Sequence, residues 1–105
     1  MNVIYEVELH VDAEIAVAYR AWLPGHVAAM LALPGFVSAD VLEVVDPGPA
    51  DGGLVLSVRY RLASQAVLDD YLELRAPRMR EEGLALFGDR FRAFRRVLWP
   101  AGEAG

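Results

Sequence analysis

The sequence predicts a single α+β domain whose elements run strand–helix–strand–strand–helix–strand (βαββαβ). Three observations carry this expectation. Residues 3–11 and 54–62 alternate apolar and polar side chains with period two, the mark of half-buried strands. Each of these strands is followed by an apolar pattern at helical spacing. The two halves of the chain also repeat, at the 53-residue offset that carries Pro24 onto Pro77.

The first strand places Val3, Tyr5, Val7, Leu9 and Val11 on one face, and Ile4, Glu6, Glu8 and His10 on the other. Asp12 is suited to cap the helix that follows, with Glu14 favoured in its first turn by the helix dipole. Ile15, Tyr19, Trp22, Leu23, His26, Val27 and Met30 mark the apolar side of that helix. Pro24-Gly25 is expected to kink or split it, and Pro34-Gly35 to end it.

A second strand is expected over residues 36–45. The Pro- and Gly-rich segment 46–53 then reads as a long hairpin connection. Leu54, Leu56, Val58, Tyr60 and Leu62 mark the third strand. Ser64 is a good cap for a second helix, carried by Val67, Leu68, Tyr71, Leu72 and Met79. Pro77 interrupts this helix and Gly88 stops it. A fourth strand runs from about Arg90 to Leu98. The domain spans 1–99, and residues 100–105 are expected to form a flexible tail.

The repeat superposes Val3, Tyr5, Val7 and Leu9 on Leu56, Val58, Tyr60 and Leu62. It also superposes the segment from Leu31 to Gly35 on that from Leu84 to Gly88. Two interleaved strand–broken helix–strand units give a ferredoxin-like antiparallel sheet of order 4-1-3-2, with two broken helices on one face.

Composition bounds the function. A chain of 105 residues buries roughly 65% of its unfolded surface, enough for a core without staples. Cysteine is absent, which removes thiol nucleophiles and Cys-based metal centres. The formal net charge of −5 argues against nucleic-acid binding. No stretch approaches the ~20 apolar residues of a membrane span. The N-terminus has no basic segment before an apolar run, so a cytoplasmic protein is expected. All ten basic residues are arginine, a choice that fits a GC-rich bacterial coding bias. Seven of them crowd between Arg75 and Arg96, where coding bias explains nothing.

The sheet order sets Glu6 and Glu8 between strands bearing Ser57, Arg59 and Arg61 on one side and Arg92, Phe94 and Arg96 on the other. Opposite charges across strands favour that pairing by a few tenths to ~1 kcal/mol each. Such a face can stand solvated. It also carries Ile4, Val55, Phe94 and Leu98, which favours a second copy of the chain as its cover, paired about a two-fold axis. Glu6, Glu8, Arg59, Arg92, Phe94 and Arg96 are the expected interface residues.

Candidate ligand-binding residues lie at the two helix interruptions. Tyr19, Trp22 and His26 share one helix face, and His26 is the candidate catalytic group. Either these side chains are core, with His26 anchored to a free carbonyl, or they wall a pocket. Arg75 and Arg78 flank Pro77 and form a candidate anion site. No phosphate loop, histidine pair or nucleophile elbow is present, and the adjacent carboxylates Asp69-Asp70 and Glu81-Glu82 point apart on a helix, so no cofactor and no metal are expected.

The segments Ala21-Trp22-Leu23 with His26, Met30 to Phe36, and Ala76 to Leu84 followed by Phe87-Gly88-Asp89-Arg90-Phe91 resemble an uncharacterised bacterial family, domain of unknown function 4286. The resemblance covers nearly the whole chain and implies the dimeric α/β-barrel superfamily. The position before Ala76-Pro77 is often histidine in that family and is Arg75 here. Any mechanism needing a second histidine at that place is therefore in doubt. The resemblance supplies no function, because the superfamily includes cofactor-independent monooxygenases, isomerases and binding proteins.

Three functions remain in view. The first is a homodimer that binds or senses a small anionic or aromatic molecule. The second is a cofactor-independent monooxygenase or isomerase with His26 moving a proton. The third is a structural dimer that supports another protein.

Overall fold

The computed structural model describes residues 1–102. β1 (Val3–Val11) leads through a short 3-10 turn into α1 (Ala16–Leu31), then β2 (Phe36–Glu43) and β3 (Leu54–Leu62). α2 (Gln65–Leu74), α3 (Ala76–Phe87) and a second 3-10 turn precede β4 (Phe91–Leu98). The four strands form one antiparallel sheet of order β2-β3-β1-β4, the expected order read from its other edge. The two halves contribute the central pair, β1 and β3, and one edge strand each. The molecule is only 18 Å deep along its shortest axis, so it has two layers and one bare sheet face.

The helices cover the face that the alternation marks as apolar. Val3, Tyr5, Leu9, Leu56, Val58, Tyr60 and Leu62 are all at most 5% exposed. Ser64 caps α2 as expected, its hydroxyl accepting from the Val67 amide at 3.2 Å. Asp12 does not cap α1; its carboxylate accepts from Arg92 at 3.2 Å instead. Gly88 closes α3 with φ at +57°, a conformation that suits glycine.

The expectation of two broken helices is corrected to one. α1 runs unbroken through Pro24. That proline is exposed, and the Arg20 carbonyl it deprives of a donor belongs to an exposed residue that water can reach. The second helix does break, at Arg75, two residues before Pro77. Ala76, 1% exposed, opens α3, which restarts with proline in its first turn.

On the uncovered face, Glu6 lies opposite Arg59 on β3 and Arg96 on β4. Its carboxylate accepts from Arg96 Nε at 2.6 Å, Arg59 Nε at 2.9 Å and Ser57 Oγ at 3.1 Å. The two arginines roof it so fully that its side chain is 2% exposed on a sheet face no helix covers. Burial pushes this carboxyl up, but the hydrogen bonds from Arg96, Ser57 and Arg59 and the Arg96 charge outweigh it. The net effect holds Glu6 below the usual carboxylate range. Glu8 is placed otherwise: its cross-strand neighbours are Ser57 and Phe94, and it bonds His10 at 2.8 Å. Phe94 is 54% exposed and Leu42 44%, leaving apolar surface on the same face. Residues 100–102 carry no regular structure, and the remainder of the expected tail, 103–105, lies outside the described residues.

Candidate functional site

Two aromatic clusters fill the space between sheet and helices. Tyr5 stacks near Tyr60 and packs on Tyr71, with Phe36 edge-on to the latter two. Tyr19 gathers Trp22, Phe87 and Phe91 within 5.5 Å of its ring centre. Both clusters line a cavity of about 250 Å³. The sheet contributes Tyr5, Val7, Leu9, Val58, Tyr60, Phe91, Ala93 and Arg95. The helices contribute Tyr19, Trp22, Leu23, His26, Met30, Tyr71, Met79, Arg80, Gly83 and Leu84. Among these, Arg95 and Leu84 are the exposed residues, so the cavity opens between β4 and α3.

Trp22 and His26 form one wall. Their rings stack with centres 4.8 Å apart and planes 20° from parallel. The indole N–H donates to Glu82 at 2.5 Å. Gly83 gives the indole its room, since a Cβ there would come 3.2 Å from the ring. The same stack, with Met79, also borders a shallow outer groove that includes Arg78 and Glu82. His26 is held below its ordinary value by burial, against the opposing charge of Glu82, and is therefore a neutral imidazole at pH 7.

No carboxylate lines the cavity, and its tyrosine hydroxyls include three raised by burial. Burial pushes the Tyr19 hydroxyl up to about 12, with the Arg95 charge acting against it. Burial also raises Tyr60, and raises Tyr71 to about 12. All three stay protonated at neutral pH. The Tyr71 hydroxyl donates weakly to Met30 Sδ at 3.6 Å. Arg80 Nη2 donates to the Tyr5 hydroxyl at 3.2 Å. Tyr19 and Tyr60, each 2% exposed, also line the cavity.

Tyr19, Trp22 and His26, grouped by helical spacing, thus share the cavity. Arg75 sits at the α2–α3 junction and Arg78 in the outer groove, so neither lines it. The arginines that do are Arg80 and Arg95, which sequence reasoning missed. Both had a signal. Arg95 shares the odd-numbered, inward register of Phe91 and Ala93, and Arg80 follows buried Ala76 by one helical turn. Among the described residues no group of three or more His, Asp or Glu is placed to hold a metal. No helix there is long and apolar enough to cross a membrane.

Residues 2–100 match the family model described as domain of unknown function, DUF4286. No curated protein matches the chain significantly. Among solved structures, the chain is similar to the protein Rv0793 from Mycobacterium tuberculosis, at 24% identity over 100% of both chains and a TM-score of 0.69. It is similar as well to a candidate antibiotic-biosynthesis monooxygenase from Deinococcus radiodurans, at 19% identity over 97% of this chain and 94% of that one, with a TM-score of 0.69. A designed protein, Foldit4, shares the fold at 17% identity over 95% and 99% of the two chains, with a TM-score of 0.65.

Proposed function

The chain belongs to the DUF4286 family, whose description names no activity, and we propose from its own cavity that it is a small-molecule binding protein working as a homodimer. One observation carries this: a cavity of about 250 Å³ persists in the core of a 105-residue domain. Protein interiors pack with few voids larger than a water molecule. Here six aromatic side chains, Tyr5, Tyr19, Trp22, Tyr60, Tyr71 and Phe91, surround open space instead of closing it. The volume suits a molecule of one or two rings. The absence of cysteine fits a cytoplasmic setting.

Filling the cavity tests the reading. Ala93→Phe places a ring in the open space, keeps the apolar register of β4 and leaves melting temperature equal or higher. Thermal-shift screening with small aromatic compounds gives stabilising hits for the wild type, and Ala93→Phe loses them. A library without hits, or hits that survive in Ala93→Phe, would sink the proposal.

A second reading, turnover, is favoured by His26. It borders the cavity as a neutral imidazole and so can accept a proton from an acidic C–H or O–H of a bound molecule. That proton transfer, leaving imidazolium and an enolate, is the step an isomerase and a cofactor-independent monooxygenase share. His26→Ala then abolishes turnover while ligand binding remains. A purely structural dimer is the outcome left if neither binding nor turnover is found.

A further inference from the structure

Five of the ten arginines pair with carboxylates within 4 Å: Arg20 with Glu43, Arg59 and Arg96 with Glu6, Arg90 with Glu14, and Arg92 with Asp12. Arg80 and Arg95, the two that line the cavity, have no such partner among the described residues, and no acidic side chain lines the cavity with them. Arginine cannot shed its proton to escape a costly environment. Two cationic side chains, Arg80 and the exposed Arg95, therefore border one cavity whose lining carries no negative charge.

We infer, building on the small-molecule reading above, that the ligand is an aryl or alkyl carboxylate whose charged group sits between Arg80 and Arg95 at the mouth of the cavity. The apolar body of such a ligand lies inward, against Trp22, Leu23 and Met30. Arg80 is already oriented by its bond to Tyr5 at 3.2 Å, which leaves further guanidinium N–H groups to donate. Arg80 on α3 and Arg95 on β4 line the same cavity as Tyr71. Tyr19 and Tyr60, which also line the cavity, carry protonated hydroxyls and no negative charge. A planar carboxylate matches the guanidinium fork and supplies the negative charge that the cavity lining lacks.

Calorimetric titration with matched pairs of probes tests this: 1-naphthoate against 1-naphthamide, and phenylacetate against phenylacetamide, at pH 7.5. Each acid is expected to bind at least about tenfold more tightly than its amide. Arg95→Gln and Arg80→Gln each bring the ratio near one, while amide affinity stays within about twofold, which shows that the cavity is intact. Equal binding of acids and amides by the wild type would overturn the carboxylate assignment and leave the binding reading standing. Binding of neither set, in a protein that also gives no hits with neutral aromatics, would remove both. An acid preference that survives both substitutions, or that is lost in Arg75→Gln or Arg78→Gln instead, would place charge recognition outside the cavity and overturn the assignment.

Discussion

The Trp22 indole lies nearly flat on the His26 imidazole, and its N–H is tied to Glu82, so the two rings and the carboxylate respond as one unit. Burial holds His26 below the ordinary histidine value of about 6.5, and the Glu82 charge opposes that shift. The unfolded chain therefore takes up the proton first. Stability from this group is complete above about pH 6.5 and declines as pH falls towards the folded value. In a Trp99→Phe background, Trp22 emission is expected to titrate with a midpoint below about 6.5, because imidazolium quenches a stacked indole. Removing the Glu82 charge by Glu82→Gln moves that midpoint lower still. A midpoint at or above 6.5 in the NMR titration of His26 would contradict the geometry.

Glu6 makes the opposite demand on pH. Its folded value is depressed, so its contribution is present above the unfolded value of about 4.3 and is lost as pH falls through the folded one. Glu6→Gln is expected to cost about 1–2 kcal/mol at pH 7. The cost stays below that of a sealed ion pair because Arg59 and Arg96, at 45% and 63% exposed, can turn to water. Thermal melts from pH 7 to 3 should show the wild type losing a stability component that the variant lacks. Parallel curves for the two proteins would show that the carboxylate is not held as described.

The strand order and the facing of each strand were legible because they rest on period-two alternation and on a repeat, both of which survive without tertiary context. The roof over Glu6 was legible for the same reason: once β1 lies between β3 and β4, parity dictates which arginines meet it. Other features were not legible. Pro24 and Pro77 carry the same local signal, each exposed and each preceded by a buried residue, Leu23 and Ala76, yet only the second helix breaks. Arg75 and Arg78 drew attention through their proximity to Pro77, whereas Arg80 and Arg95 line the cavity through register. Volume itself leaves no trace in a sequence, because it depends on how far two aromatic clusters stand apart.

The bare sheet face carries the dimer prediction. Phe94 is 54% exposed there, with the His10 ring edge-on to it at 5.2 Å. Light scattering coupled to size exclusion should return about twice the 11.5 kDa chain mass. Phe94→Asp should shift the protein towards monomer with little loss of fold, since the ring touches no buried core residue of its own chain's aromatic clusters. Charge reversal at Glu6 is a poorer probe, because that carboxylate is already consumed within its own protomer. A strict monomer at high micromolar concentration would remove the homodimer from the proposed function.

Gly35 offers a test of the packing that holds the helical layer on the sheet. It sits in the turn before β2 with φ at +79°, a conformation that other residues adopt only under strain. Its carbonyl accepts the Ala63 amide at 2.9 Å, so the turn is tied to the end of β3 and cannot simply swing away. A Cβ built there would come 2.5 Å from Val67 Cγ1, inside the first turn of α2. Both effects act against Gly35→Ala, which is expected to destabilise by about 2–3 kcal/mol. Chemical denaturation should separate them. Val67→Ala in the Gly35→Ala background removes the two Cγ contacts and leaves a 3.1 Å approach to the Val67 Cβ and the backbone strain, so it should recover about half of the loss. Full recovery would assign the whole cost to the collision with Val67. No recovery would assign it to the left-handed backbone alone.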